Sequence, residues 1–187
     1  MINVNDYRME NAGGCGLYVG TYAKYNAGSI EGMWIDLETC SDAEEFFEVC
    51  RALHSDENDP EFMMQDFQGF PEELYSESMS EEDVEKILFY CQLDDDDKEL
   101  LEAYFECFGG DYDDAEDVLE TAKARSMGKY DSFREFSDQM AEEEIACHAQ
   151  GKTTEFFERY FDYDAFERDL KMDYYVSESG YVFNPNF

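Results

Sequence analysis

Acidic side chains outnumber basic ones 48 to 13 in this 187-residue chain, so any fold it adopts must carry a formal net charge of −35 on its surface. Burying unpaired charge costs several kcal/mol per ion, which leaves solvent as the place for nearly all of it. An acidic chain poor in aromatics stays disordered because it has too little apolar surface to offset its conformational entropy. Here 43% of residues are hydrophobic and 17% are aromatic, enough for a core. The negative charge is therefore expected on an ordered surface. Self-repulsion opposes compactness and is weaker when like charges are spread along an extended body. The length allows two or three small domains. The expected architecture is α+β, an elongated chain of three small domains.

Residues 1–14 end in Gly13-Gly14 and read as a flexible N-terminal extension. Residues 15–69 read as an α+β domain. Leu17, Val19 and Thr21 alternate with Tyr18, Gly20 and Tyr22, a strand pattern. Asn26-Ala27-Gly28 marks a turn, and Ser29 to Leu37 reads as a returning strand carrying Trp34. Ser41 with Glu44 reads as a capping box for a helix whose apolar stripe is Ala43, Phe46, Phe47, Cys50 and Leu53. Glu61 to Phe67 reads as a third strand.

Residues 70–124 read as a central helical bundle. Ser80 and Asp83 begin one helix. A second follows the acid run Asp94–Asp97 and stops at Gly109-Gly110. Asp111 caps a third, with Tyr112, Ala115, Leu119 and Ala122 inward. Residues 125–187 read as an α+β domain: a short strand at 126–130, a helix capped by Asp131 or Ser132, a break at Gly151, an aromatic helical stretch split near Asp162-Tyr163-Asp164, and a closing hairpin around Glu178-Ser179-Gly180.

The acids are spaced as well as numerous. Asp95, Glu99, Glu102 and Glu106 recur at intervals of four, three and four, one face of a helix, giving a stripe roughly 16 Å long. Asp113, Glu116, Asp117 and Glu120 repeat the device, and Asp131, Glu135, Asp138 and Glu142 repeat it again. Few of these acids have a basic residue at i+4, although like-charge neighbours at that spacing destabilise a helix. One such stripe is an ordinary solvated face; three in one chain point to a basic partner. Duplex DNA carries one charge per ~1.7 Å, so 35 net charges match roughly 60 Å of duplex.

Catalytic chemistry is absent from the pattern. Neither His54 nor His148 has a sequence-visible partner for acid–base work. The six cysteines, at 15, 40, 50, 91, 107 and 147, show no CxxC and no metal-ligand spacing; they are expected to be reduced and mostly buried, in a cytoplasmic protein. The Asp94–Asp97 run lacks the glycine and the terminal glutamate of a calcium-binding EF loop, and Gly13-Gly14-Cys15-Gly16 lacks the Lys-Ser/Thr of a phosphate loop. No apolar run approaches the ~18 residues of a membrane span. Residues 1–14 do not read as a secretory leader. No catalytic residue, cofactor or metal site is assigned, and repulsion excludes direct binding of nucleic acid.

The stretch LYVGTYAKYNAGSIEGMWIDL, residues 17–37, resembles the N-terminal signature of the ArdA antirestriction proteins: a strand, a Tyr-x-x-Tyr-Asn-x-Gly turn, and a return strand with Gly and Trp. ERYFDYDAFERDL at 158–170 resembles that family's C-terminal aromatic-acidic segment, and DYYVSESGYVF at 173–183 resembles its closing hairpin. The resemblance covers about residues 16–187 and implies a great deal. ArdA proteins are DNA mimics encoded on mobile elements. They occupy the DNA groove of type I restriction-modification enzymes, formed by the specificity and modification subunits. They are elongated, three-domain homodimers joined through the C-terminal domain. The segment Tyr160, Phe161, Asp162, Tyr163, Asp164, Phe166, Asp169 and Leu170 matches the family's antirestriction motif near that dimer interface. On the residues alone, two alternatives stay open: an acidic adaptor or chaperone for another basic DNA-binding protein, and a cation buffer.

Overall fold

Two small antiparallel sheets organise the chain, one early in the sequence and one late. A computed structural model describes residues 2–10, 13–109, 115–148 and 154–186. The mixture of helices with small antiparallel sheets makes the fold α+β. The residues group into two compact units, one built on Met1–Lys98 and the other on Glu99–Gly109 with Asp117–Phe187.

In the first unit, β1 (Gly16–Thr21), β2 (Met33–Asp36) and β3 (Phe62–Gln68) form a sheet in the order β2-β1-β3. The register pairs Leu17 with Ile35 and Phe67, and Val19 with Met33 and Met64. One face of the sheet supplies core: Leu17, Val19, Met33, Ile35 and Met64 are buried. Helix α2 (Ala43–Leu53) adds buried Phe46, Phe47, Val49 and Cys50, and Phe47 stacks near Phe62 of β3 with ring centroids 6.1 Å apart. Full burial of such a side chain is worth ~1.5–3 kcal/mol.

Four local expectations shift. The turn after β1 is a helical turn, α1 (Tyr22–Asn26), because Thr21 Oγ1 accepts from the Lys24 backbone N–H at 3.2 Å. Residues 29–32 are spent bridging, so the return strand begins at Met33 and not at Ser29. The cap of α2 is Asp42, one residue later than expected. Asp42 Oδ1 accepts the Glu45 N–H at 2.8 Å, while the N–H and hydroxyl of Ser41 both donate to Glu45 at 2.7 and 2.8 Å. Residues 2–10 are not a free arm. They make a 3₁₀ turn at Val4–Tyr7, pair Arg8 with Ile35 and donate from Met9 N to Trp34 O at 3.1 Å. The open edge of β2 offers unpaired backbone groups, and this segment takes them up. The expected break at Gly151 and the cap at Asp111 lie outside the described residues, as does Tyr112; the Ala115 side chain does too.

Helix α3 (Glu81–Gln92) begins with the expected capping box between Ser80 and Asp83. Val84, Ile87, Leu88 and Tyr90 are its buried residues. Cys91 is bonded to Cys15 with Cα atoms 6.1 Å apart, within the range a disulfide spans. This overturns the expectation that all six cysteines are reduced. The partners are separated by 76 positions, and only the fold brings them together.

Helix α4 (Asp95–Phe108) ends where Gly109 takes φ +84°, a left-handed conformation that glycine adopts without strain. Helix α5 (Ala115–Arg125) buries Val118, Leu119 and Ala122. The helices of the expected central bundle divide between the units: α3 lies in the first, most of α4 and of α5 in the second. Tyr104 and Phe108 of α4 meet Phe183 with ring centroids 5.9 Å apart in each case.

The second sheet orders β4 (Ser126–Lys129), β5 (Tyr175–Val176) and β6 (Tyr181–Phe183) as β4-β6-β5. Gly180 has φ +92°, and a Cβ there would lie 2.4 Å from the Tyr130 carbonyl oxygen, so only glycine fits the closing turn. Helix α6 (Phe133–His148) is capped by Ser132, whose Oγ accepts from Glu135 N at 3.2 Å. Phe136 is fully buried beneath it, against Tyr130 and Tyr174. The aromatic stretch splits into α7 (Thr154–Glu158) and α8 (Tyr163–Leu170), with Asp162 as the cap of α8.

Candidate interaction surface

Helix periodicity sorts the second unit's residues into an apolar side and an acidic side. On α4, Leu100, Leu101, Ala103, Tyr104 and Phe105 are buried, which turns Glu102 and Glu106 to solvent and leaves Glu99 half-exposed. Asp95, in the first turn of the same helix, is exposed. On α5, buried Val118, Leu119 and Ala122 leave Asp117 and Glu120 exposed. Asp113 and the Glu116 side chain lie outside the described residues. On α6, Asp131 just before the helix, Glu135 and Glu142 are exposed, and Asp138 is half-buried. A shallow groove of about 560 Å³ runs along α6 past Glu135, Asp138 and Glu142.

Several of these acids also have structural partners, Glu135 among them, which accepts from the Asp131 backbone N–H at 3.0 Å. Glu99 forms an ion pair with Lys129 of β4. Glu106 accepts from the Glu178 backbone N–H through both carboxylate oxygens, at 2.8 and 3.0 Å, and so holds the closing hairpin. Asp138 accepts from Arg134 Nε at 2.8 Å. The stripes are therefore acidic faces pinned in places to their own unit.

Arg134 is a hub that spacing exposed only in part. Its i+4 pairing with Asp138 is visible in the sequence. Its bonds to Asp164 at 2.6 Å and Glu167 at 3.2 Å depend on α8 packing against α6. Those carboxylates, Asp164 first, hold the guanidinium proton more tightly than usual. The Lys171 ammonium, with Arg134 beyond it, holds the Glu167 carboxyl below the ordinary carboxylate range. Asp164 is thus a tether between helices. Asp162 is spent on the cap, where it accepts from Ala165 N at 3.0 Å. Asp169 is exposed.

The aromatic members of the 160–170 segment are not core within this chain. Tyr160 is 70% exposed, and α8 has no fully buried residue. Phe161 sits edge-on to Tyr163 and Phe166, with centroids 4.9 and 5.2 Å away, and with Leu170 these three are half-buried. Beside them a groove of about 270 Å³ opens between α6 and α7, lined by Ile145, Phe157, Tyr160 and Phe161 with Glu144 and His148 at its rim.

In the first unit, His54 is almost fully buried, with Nε2 facing the Val19 carbonyl at 3.3 Å and Nδ1 facing Lys24 Nζ at 3.3 Å. Burial first, and the Lys24 charge second, push its pKa below the usual histidine value. His54, Asp56 and Glu57 hold donor atoms within 4.8 Å of one another. The centre of that set is already taken by the Lys24 ammonium, 3.1 Å from Asp56 and 3.8 Å from Glu57. This is an internal ion pair and not a metal centre. Sequence reasoning missed it, because 30 or more positions separate Lys24 from its partners.

Among the described residues no helix is long and apolar enough to cross a membrane. A family model described as antirestriction protein (ArdA) matches residues 17–183 of the chain. No curated protein matches it.

Proposed function

Since the chain belongs to the ArdA family of antirestriction proteins, we propose that it is a non-catalytic DNA mimic that occupies the DNA groove of a type I restriction-modification enzyme. That groove, in the specificity and modification subunits, holds duplex through Lys and Arg on phosphates, contacts that position DNA without reading its sequence. Carboxylates spaced along helices take the phosphates' place. The observation that carries the reading is the set of exposed acids on α4, α5 and α6 on a chain of net charge −35. The surface is prefolded, so little ordering entropy opposes docking. Inhibition then extends across enzymes of differing recognition sequence.

The reading includes a homodimer formed through the C-terminal part, with about −70 for the pair and roughly 120 Å of duplex matched at DNA's charge spacing. The exposed rings of Phe156 and Tyr160 beside the α6–α7 groove support that placement. The test is displacement. Labelled duplex bound to a purified type I methyltransferase is titrated with the protein, in parallel with duplex bound to a histone-like basic protein. Displacement from methyltransferases of different recognition sequence, and weaker displacement from the basic protein, is the expected result. Equal or preferential displacement from the basic protein replaces this reading with a general acidic adaptor.

A further inference from the structure

The outer face of the first sheet is built differently from the acidic helices. Opposite the core side, β1 and β2 place Tyr18 directly across from Trp34, with rings edge to face and centroids 5.7 Å apart. Asp66 of β3 is the next partner of Tyr18 in the register. The Tyr18 hydroxyl donates to the Ile30 carbonyl at 3.0 Å, which holds the segment after α1 over the sheet. Tyr25 of α1 and Ile30 of that segment stand as a wall, 52% and 73% exposed. On the far side Glu77 stands beside β3, fixed because its own carbonyl accepts from Met64 N at 2.9 Å. The open concavity between them is about 400 Å³. The Gln65 side chain also borders it, and its buried amide nitrogen has no hydrogen-bond partner among the described residues.

We infer that this aromatic pocket captures a single arginine side chain from the protein partner. Two features select that occupant. Tyr18, Tyr25 and Trp34 present rings, whose faces attract cations, and guanidinium stacks on them better than ammonium does. Asp66 and Glu77, both exposed, place carboxylates at the rim where guanidinium N–H groups would end. A chain of net charge −35 meets basic surfaces by preference. The pocket therefore acts as an anchor within a broad electrostatic contact. It gives the partner a fixed position that a smooth field of acids does not provide. The inference relies on the function proposed above only for the identity of the partner.

Trp34 is the sole tryptophan, so its fluorescence reports occupancy of the pocket. The full chain is titrated with N-acetyl-arginine methylamide, with the citrulline analogue as neutral isostere, and with the lysine analogue. A saturable Trp34 response is expected for the arginine probe, at least tenfold weaker for citrulline and weaker for lysine. Tyr25→Ala and Asp66→Asn, at exposed positions that leave the core intact, each weaken the arginine response at least fivefold. A combined Glu102→Gln, Glu120→Gln and Glu142→Gln change leaves it unaltered. A flat titration, equal binding of citrulline, stronger binding of lysine, or an unaffected Tyr25→Ala variant each overturns the inference. The two readings separate cleanly. Arginine binding without displacement of DNA from methyltransferases sinks the proposed function and keeps the pocket; displacement with a flat arginine titration does the reverse.

Discussion

The guanidinium of Arg134 meets the carboxylate of Asp164 at 2.6 Å, joining α6 to α8 across 30 positions of sequence. The same side chain holds Asp138 and Glu167. In a chain with so few cations, this one is committed to holding the unit together. Arg134→Met is expected to lower the thermal midpoint modestly, as exposed ion pairs do, and to loosen α8 in amide hydrogen exchange. A double-mutant cycle with Asp164→Asn is expected to show positive coupling. Because Asp164 is already neutralised, Asp164→Asn alone is expected to affect stability before it affects binding to any basic partner.

Phe136 is the centre of the second unit's aromatic packing, with Tyr130, Phe133 and Tyr174 rings 5.0–5.5 Å away. Truncation to alanine removes a fully buried ring and leaves a cavity. Phe136→Ala is expected to cost about 3–5 kcal/mol in urea unfolding. With two compact units, the loss is expected in one transition while probes in the first unit move little.

His54 carries the clearest pH signature. Its pKa in the folded protein lies below the unfolded value, so folding disfavours its protonation. The stability this contributes is fully present above pH ~6.5 and is lost as pH falls through the folded pKa. NMR titration is expected to place His54 below 6.5. Lys24→Met removes the second of the two causes and is expected to raise the value, short of the unfolded one because burial remains. An unchanged value in Lys24→Met contradicts the assigned contact.

The acidic faces are expected to act collectively. Glu102, Glu120 and Glu142 are exposed on three different helices. Single changes to glutamine are expected to weaken methyltransferase displacement less than about threefold, and the triple change to weaken it more and to flatten its salt dependence. A large loss from one single change points to a discrete site instead of a field.

The Cys15–Cys91 bond leaves Cys40, Cys50, Cys107 and Cys147 as free thiols. Thiol titration of denatured, unreduced protein is expected to find four reactive groups, and six after reduction. Reduction is expected to destabilise the first unit by about 2–4 kcal/mol. Six thiols without reductant contradict the pairing.

Elements with a local cause were legible in the residues alone. The Ser80–Asp83 box, the glycine stop at Gly109, and the split of the aromatic stretch at Asp162 all rest on neighbours within four positions, and each stands in the structure. Errors were small where two local solutions competed. Ser41 and Asp42 are both good caps, and Glu45 decides for Asp42 by taking Ser41's donors and the Tyr7 hydroxyl together. The exposed faces of α4, α5 and α6 were readable too, because helix period alone separates Leu101 and Leu119 from Glu102 and Glu120.

By itself the sequence determined the fold class, the acidity of the surface and the helical spacing of its charges, since composition and periodicity are properties of the unfolded chain as much as of the folded one. The tertiary structure alone decided which charges are spent internally. Arg134 with Asp164, Lys24 with His54, Glu106 with the Glu178 backbone and Cys15 with Cys91 are all joined across 30 or more positions. It also decided that Tyr18, Trp34 and Asp66 share one face, because strand register, and not sequence distance, sets which side chains meet.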